Sequence, residues 1–284
     1  MTPTPALPLS GGGSARRTFI LPSKKGGMKW ASALALIVSI LLAAPAFAAS
    51  GREPAPPGSL PDAPPQYTQF SAAELMRGFL ALAFGSDLRI GARPRGIRRF
   101  DRPIHATVVP GGSIDRSAAM LGVLMEYAQK VPNLHLSVGH QPDADVEVRL
   151  IDEKDFDAAL TAAFGRKIAK TFIARTDPQC MTSVKSNGAG EIVHAVSFVI
   201  VDKGEDVFRD CAYHELLHAF GLSNHDQRNP WTTLNQNRMV GYLSVYDHDL
   251  ITMLYDPRVR PGMSRAQAER ILPGVIRSLG LTAR

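Results

Sequence analysis

Residues 214 to 226 read HELLHAFGLSNHD, and the spacing of their polar side chains decides how the chain around them is read. His214 and His218 are four apart, so on a helix both imidazoles leave the same face one turn apart and can grip one ion. Glu215 stands beside the first histidine and off the ligand face, where a general base takes a proton from a metal-bound water. Leu216, Leu217 and Phe220 cover the other faces and anchor the helix in a core. The helix is expected from near Asp206 through Phe220, with Gly221 where a left-handed residue would stop it. The plain alternative is a core helix with two hydrogen-bonded histidines. Composition alone gives two His and a Glu in this arrangement in roughly one such chain in a hundred.

Two ligands do not complete a catalytic zinc site, which takes three protein ligands and keeps a fourth position open. Six residues after His218 stands Asn224, then His225 and Asp226. Asn is a poor zinc ligand, whereas imidazole and carboxylate are good ones. His225 is therefore the expected third ligand, reached by a loop one residue longer. Asp226 is the alternative ligand, or otherwise an acceptor for a ligand N–H. Glu269, the one glutamate downstream of His218, lies in a surface-like helix (RAQAER) and is not expected at the metal. His105, His135, His140 and His194 have no ligand spacing.

Outward from the motif, residues 28 to 48 (MKWASALALIVSILLAAPAFA) place Lys29 before an apolar run ending in Ala-Phe-Ala, as at a signal-peptidase site. Residues 1–48 are thus expected to be an export signal with an N-terminal extension, cleaved near Ala49. An uncleaved membrane anchor is the alternative, since the run approaches the ~20 apolar residues of a spanning helix. The formal charge is +6. Residues 1–48 hold five basic and no acidic side chains, and removing them leaves 27 basic against 26 acidic. The mature chain is nearly neutral, so neither nucleic acid nor an anionic membrane is implied as a partner. The cluster Arg93, Arg95, Arg98, Arg99 and Arg102 is expected to be a solvated surface. The protein is expected to be periplasmic or secreted.

In an oxidising compartment Cys180 and Cys211, the chain's two cysteines, read as one disulfide. A competing reading makes Cys211 a metal ligand, since it lies three residues before His214 on one helical face.

Residues 49–66 are rich in Pro, Gly and Ala and read as a linker. Ser71 with Glu74 forms a capping box ahead of a helix ending at Gly85. Strands are expected at 103–109, 134–138, 144–151 and 191–202, and helices at 115–131 and 153–165. Strands alternating with helices give an α/β protein with a mixed sheet.

HELLHAFGLSNHD resembles the zinc-binding HExxHxxGxxH consensus of the metzincin metallopeptidases, with one residue inserted between Gly221 and the third ligand. The stretch YLSVYDHDLITMLYDPRVRPGMSRAQA (242–268), with RRFDRPIHATV, is similar to a bacterial exported family known as domain of unknown function 2927, over roughly residues 68–280. The metzincin likeness implies a zincin fold for residues 67–284: a twisted mixed sheet, an active-site helix, a turn at Gly221 and a small C-terminal helical subdomain. It also implies a methionine turn beneath the metal, for which Met239 is the candidate. Tyr242 stands three residues after Met239, where some metzincins have an oxyanion-stabilising Tyr two after the Met, and that spacing departs from the pattern. Asp247 and His248 are expected to cap and hydrogen-bond.

The function expected is that of an exported zinc metalloendopeptidase. Zn²⁺ would be held by His214, His218 and His225, with Glu215 as the base. The strand at 191–202 would be the cleft edge that pairs with an extended peptide or protein substrate. The alternatives are an inactive metzincin-like binding module of the cell envelope and a zinc hydrolase of cell-wall peptides.

Overall fold

The computed structural model describes residues 52–53, 66–85, 96–176 and 179–282. The expected signal segment and almost all of the expected linker lie outside the described residues, as do Arg93 and Arg95. Among the described residues no helix is long and apolar enough to cross a membrane.

Two short strands, β1 (Arg52–Glu53) and β2 (Gln66–Tyr67), pair antiparallel. Helix α1 (Ala72–Phe84) follows. Its capping box is formed as expected, with Ser71 and Glu74 each accepting from the other's backbone N–H. Then come β3 (Ile104–Val109), α2 (Ser117–Lys130), β4 (Leu136–Val138), β5 (Val146–Ile151), α3 (Glu153–Phe164), α4 (Arg166–Thr176), β6 (Cys180–Ser186) and β7 (Ile192–Ile200). The helical end comprises α5 (Glu205–Ala219), α6 (Val245–Leu254) and α7 (Arg265–Ser278).

The main sheet has five strands in the order β4-β3-β5-β7-β6, parallel except that β6 runs antiparallel to β7. The fold is thus mixed α/β, as expected. The second half of β7 is covered on both faces, which matches its apolar sequence, whereas β5 alternates buried Val146, Val148 and Leu150 with Glu147 and the exposed Arg149. On β7, Ala195 and Val199 face the main core with α1, α2, α5, α6 and α7, while Phe198 and Ile200 face a second cluster with Phe156, Leu160 and Ala169 of α3 and α4.

This order corrects one expectation. The strand expected at 191–202, β7, is paired on both sides, and the sheet edge next to it is β6. No helix or strand was expected over 166–186, where α4 and β6 stand.

A second correction concerns the arginine cluster. Arg99 is buried, 6% exposed. Its guanidinium donates to the carbonyls of Leu254 and Val259 at 2.9 Å each and of Asp256 at 3.3 Å, and lies 4.7 Å from the Tyr255 ring centre. The planar fork thereby ties the segment before β3 to the end of α6. Arg98 is half-buried, whereas Arg102 is exposed as expected and pairs with Asp145 at 2.5 Å.

Candidate metal centre

Helix α5 starts at Gly204 (φ +99°), with Glu205 and Asp206 in its first turn, where acidic groups favour the positive end of the helix dipole. Phe208, Leu216 and Leu217 bury it against the sheet. Each is worth roughly 1.5–3 kcal/mol relative to exposure. The helix ends in a Schellman motif. The Leu222 N–H donates to the Leu217 carbonyl at 3.0 Å and the Gly221 N–H to the His218 carbonyl at 3.1 Å. Gly221 has φ +121°, and a Cβ there would lie 2.1 Å from the Arg98 carbonyl oxygen. Glycine is needed twice over, for the dihedral and for the close approach.

That turn delivers the third histidine. The Nε2 atoms of His214 and His218 are 3.0 Å apart, those of His214 and His225 3.0 Å, and those of His218 and His225 3.2 Å. The three form the one metal-ligating group of His, Cys, Asp or Glu found among the described residues. Asp226 is not in it. Its carboxylate instead accepts from the Arg228 N–H at 3.2 Å. Asn224 is not in it either, and donates from Nδ2 to the Ala81 carbonyl at 3.0 Å.

The hydrogen bonds behind the rings fix what the facing nitrogens are. His214 Nδ1 lies 2.8 Å from the Thr233 carbonyl and His218 Nδ1 2.6 Å from the Leu222 carbonyl. A carbonyl only accepts, so both Nδ1 atoms carry the proton and both Nε2 atoms present lone pairs. Burial depresses the pKa of His214 to about 3, with His225 adding to the effect, and lowers that of His218 well below the ordinary range. A proton therefore does not relieve the contact. Two bare lone pairs at 3.0 Å repel, and a cation between them turns that repulsion into bonding. Three nitrogens of a tetrahedral zinc at 2.0–2.1 Å lie about 3.3 Å apart, close to the spacing here, and the donor set of three imidazoles suits that ion. All three histidines are half-buried and none is fully enclosed.

Glu215 is buried, 3% exposed, and its Oε2 has no hydrogen-bond partner. Burial pushes its pKa up to about 8, opposed by the Thr182 hydroxyl and aided by Asp210. Thr182 belongs to the edge strand β6, and its hydroxyl also donates to the Glu215 carbonyl at 3.1 Å. The Cys180–Cys211 disulfide joins the same strand to α5, with Cα atoms 5.8 Å apart. It bears out the expected pairing and removes Cys211 as a ligand.

Met239, the candidate for the methionine turn, is 44% exposed, which gives no support to a place packed beneath the histidines. The nearby backbone is held by Asp210 of α5, whose Oδ1 accepts from Val240 and Gly241 at 2.6 and 3.3 Å. Tyr242 is buried in the main core. Ser244 caps α6 by accepting the Asp247 N–H at 3.0 Å, Asp247 in turn accepts the Ser244 hydroxyl at 2.9 Å, and His248 Nε2 lies 2.9 Å from the Lys130 carbonyl. Asp247 and His248 both hydrogen-bond, as the sequence implied. Thr182, Thr233 and Asp210 carry no motif signal, because their roles arise from where the chain returns to α5.

A family model described as "Protein of unknown function (DUF2927)" matches residues 72–274. No curated protein and no solved structure matches.

Proposed function

The chain belongs to the DUF2927 family, whose description assigns no activity, and from its own residues we propose that it is an exported zinc-dependent metallopeptidase of metzincin-like build. The observation that carries this reading is the set of three Nε2 atoms 3.0–3.2 Å apart, two of them held as bare lone pairs by carbonyls behind the rings. His214, His218 and His225 would hold the metal. Zinc bound there supplies a Lewis acid that polarises a carbonyl and lowers the pKa of a water to about 7.

The protein's part in hydrolysis falls to Glu215 and β6. Glu215 takes the proton of the attacking water and passes it to the leaving amine. Its buried carboxyl, with one unpartnered oxygen, is suited to a group that must hold and release a proton near neutrality. The free side of β6 offers backbone groups to an extended peptide, and Thr182 sets that edge against Glu215. The mixed sheet, the helix ending at Gly221 and the helices after it support the metzincin likeness. The position of Met239 does not. The N-terminal apolar run supports export, and a disulfide agrees with an oxidising compartment.

The test is elemental analysis of zinc per chain on the purified protein and its His225→Ala variant, followed by peptide hydrolysis with Glu215→Gln. One zinc in the parent, far less in His225→Ala, and zinc retained with hydrolysis reduced at least about 100-fold in Glu215→Gln is the expected result. A parent that takes up no zinc on reconstitution would overturn the metal reading. Zinc without hydrolysis of any peptide would leave a metal-binding module.

A further inference from the structure

Behind the histidines lies a second layer that converges on one carboxylate. Asp247, on the first turn of α6, has no exposed surface. Its Oδ1 accepts the Thr232 hydroxyl, and its Oδ2 accepts the Thr233 N–H at 2.9 Å and the Ser244 hydroxyl at 2.9 Å. The Thr232 hydroxyl oxygen in turn accepts the Leu234 N–H at 3.0 Å, and the Thr232 carbonyl accepts the Asn235 N–H at 3.2 Å. Residues 232–235 are thereby folded as a tight turn around a side chain from another element.

Two carbonyls of that turn reach the histidines. The Thr233 carbonyl accepts His214 Nδ1–H at 2.8 Å, and the Leu234 carbonyl accepts the N–H of Asp226, the residue after His225, at 3.1 Å. His218 is held differently, by the Leu222 carbonyl of its own helix end. The His214 imidazole and the backbone just after His225 are therefore held by a turn that Asp247 templates, and none of the Asp247 hydrogen bonds named above is to a histidine.

We propose that Asp247 is a positioning residue for the metal centre: by holding the Thr232–Asn235 turn it fixes the tautomer and aim of His214 and the approach of His225. The inference rests on the reading that the triad holds a metal. A carboxylate is suited to the task because it accepts at both oxygens, and three donors converge on it. A carboxamide accepts at one end only: with its oxygen at the Oδ2 position Asp247→Asn turns an N–H₂ toward the Thr232 hydroxyl, which must then accept where it now donates to a charged oxygen, and with its oxygen at Oδ1 it opposes two donors. Partners behind metal ligands typically set affinity by 10–100-fold.

The experiment compares zinc affinity of the full chain, by competition with a chromophoric chelator, in the parent, in Asp247→Asn and in Leu250→Ala. Leu250 is buried on the same helix and bonds to none of these groups, so its truncation lowers stability without touching the turn. The expected result is an affinity about 10-fold or more weaker in Asp247→Asn and unchanged in Leu250→Ala, at temperatures where both are folded. Equal affinity in parent and Asp247→Asn, or an equal loss in Leu250→Ala, would overturn the proposal. Should Asp247→Asn not fold, Thr232→Val removes one of the three donors at constant shape and is expected to weaken zinc several-fold, with no change overturning the inference. Long-range ¹H–¹⁵N NMR of the metal-free protein separates this from failure of the metal reading. His214 is expected as the pure Nδ1–H tautomer in the parent and as a mixture in the variant, whether or not zinc binds. A single tautomer in both would refute the positioning role even where the parent binds no zinc.

Discussion

Removing the Cys180–Cys211 disulfide tests how the edge strand is held to the helix that bears His214 and His218. The bond closes a loop of 31 residues. In the chain-entropy model that constraint removes about 12 cal/mol/K from the unfolded chain, or about 3.7 kcal/mol at 25 °C. For a folded unit of some 200 residues, each kcal/mol moves the melting temperature by about 2–4 °C. The Cys180→Ala/Cys211→Ala double variant is therefore expected to melt about 7–15 °C below the parent, both measured metal-free by circular dichroism. Zinc stoichiometry should not change, because neither sulfur belongs to the triad. Peptide hydrolysis should fall chiefly through KM, because β6 loses its covalent anchor beside Glu215 while the histidines keep theirs. A melting shift under about 3 °C would refute the entropic account. Two titratable thiols in the denatured, unreduced protein would refute the bond itself.

Three further outcomes follow from individual residues. Asp210 has its pKa raised to about 7 by burial, so the unfolded chain releases this proton from about pH 4 upward while the fold holds it to about 7. Its contribution to stability thus falls as pH rises through that window and is level above it, by at most about 4 kcal/mol. Asp210→Asn keeps the Oδ1 acceptor of both backbone bonds and should be as stable as the parent or more so at pH 8 by urea unfolding; a less stable variant there would contradict this. Gly221→Ala, at φ +121° with Arg98 oxygen in the way, should cost about 3 kcal/mol and lower zinc occupancy, since it displaces the Leu222 carbonyl behind His218. Arg99→Lys loses the fork that reaches three carbonyls and should cost about 2 kcal/mol in a urea titration; a change under about 0.5 kcal/mol would deny it that role.

The parts legible in the sequence are those whose signal is local. Helix periodicity, the Ser71 capping box, the β-branched run of β7 and the i, i+4 histidines depend on neighbours within a turn or two, and each stands within a few residues of where it was expected. The sequence does not mark strand β6 because CMTSVKS mixes polar and apolar residues on both faces, with Met181 buried, Lys185 exposed and the rest half-buried, so no apolar alternation appears. Its neighbour β7 was taken for the edge for the converse reason, since a strand's sequence reports burial of its faces and not whether both its hydrogen-bonding sides are filled. Arg99 was taken as surface because a buried guanidinium satisfied by carbonyls of residues 254–259 leaves no local trace. The carboxylates behind the site are hidden likewise, since Asp247 reads as a capping group and stands in the first turn of a helix that Ser244 caps.

The choice of His225 over Asn224 shows how a tertiary contact settles what spacing leaves open. After the Schellman turn the chain runs past the C-terminal end of α1, where the last carbonyls of any helix lack partners. The Ser223 N–H donates to Leu82 and the Asn224 amide to Ala81, so both residues are spent on closing that helix. The fit is close: a side chain at Gly85, the α1 cap, would strike the Asn224 amide. The chain bends at Asn224, between the residue that closes α1 and the one that meets α5. His225 is that residue, and Asp226 after it turns away again to accept from Arg228. The extra residue in the loop therefore does not weaken the ligand set. It supplies the anchor from which the third imidazole is aimed, and makes α1 as much a part of the metal centre as the helix that bears the first two histidines.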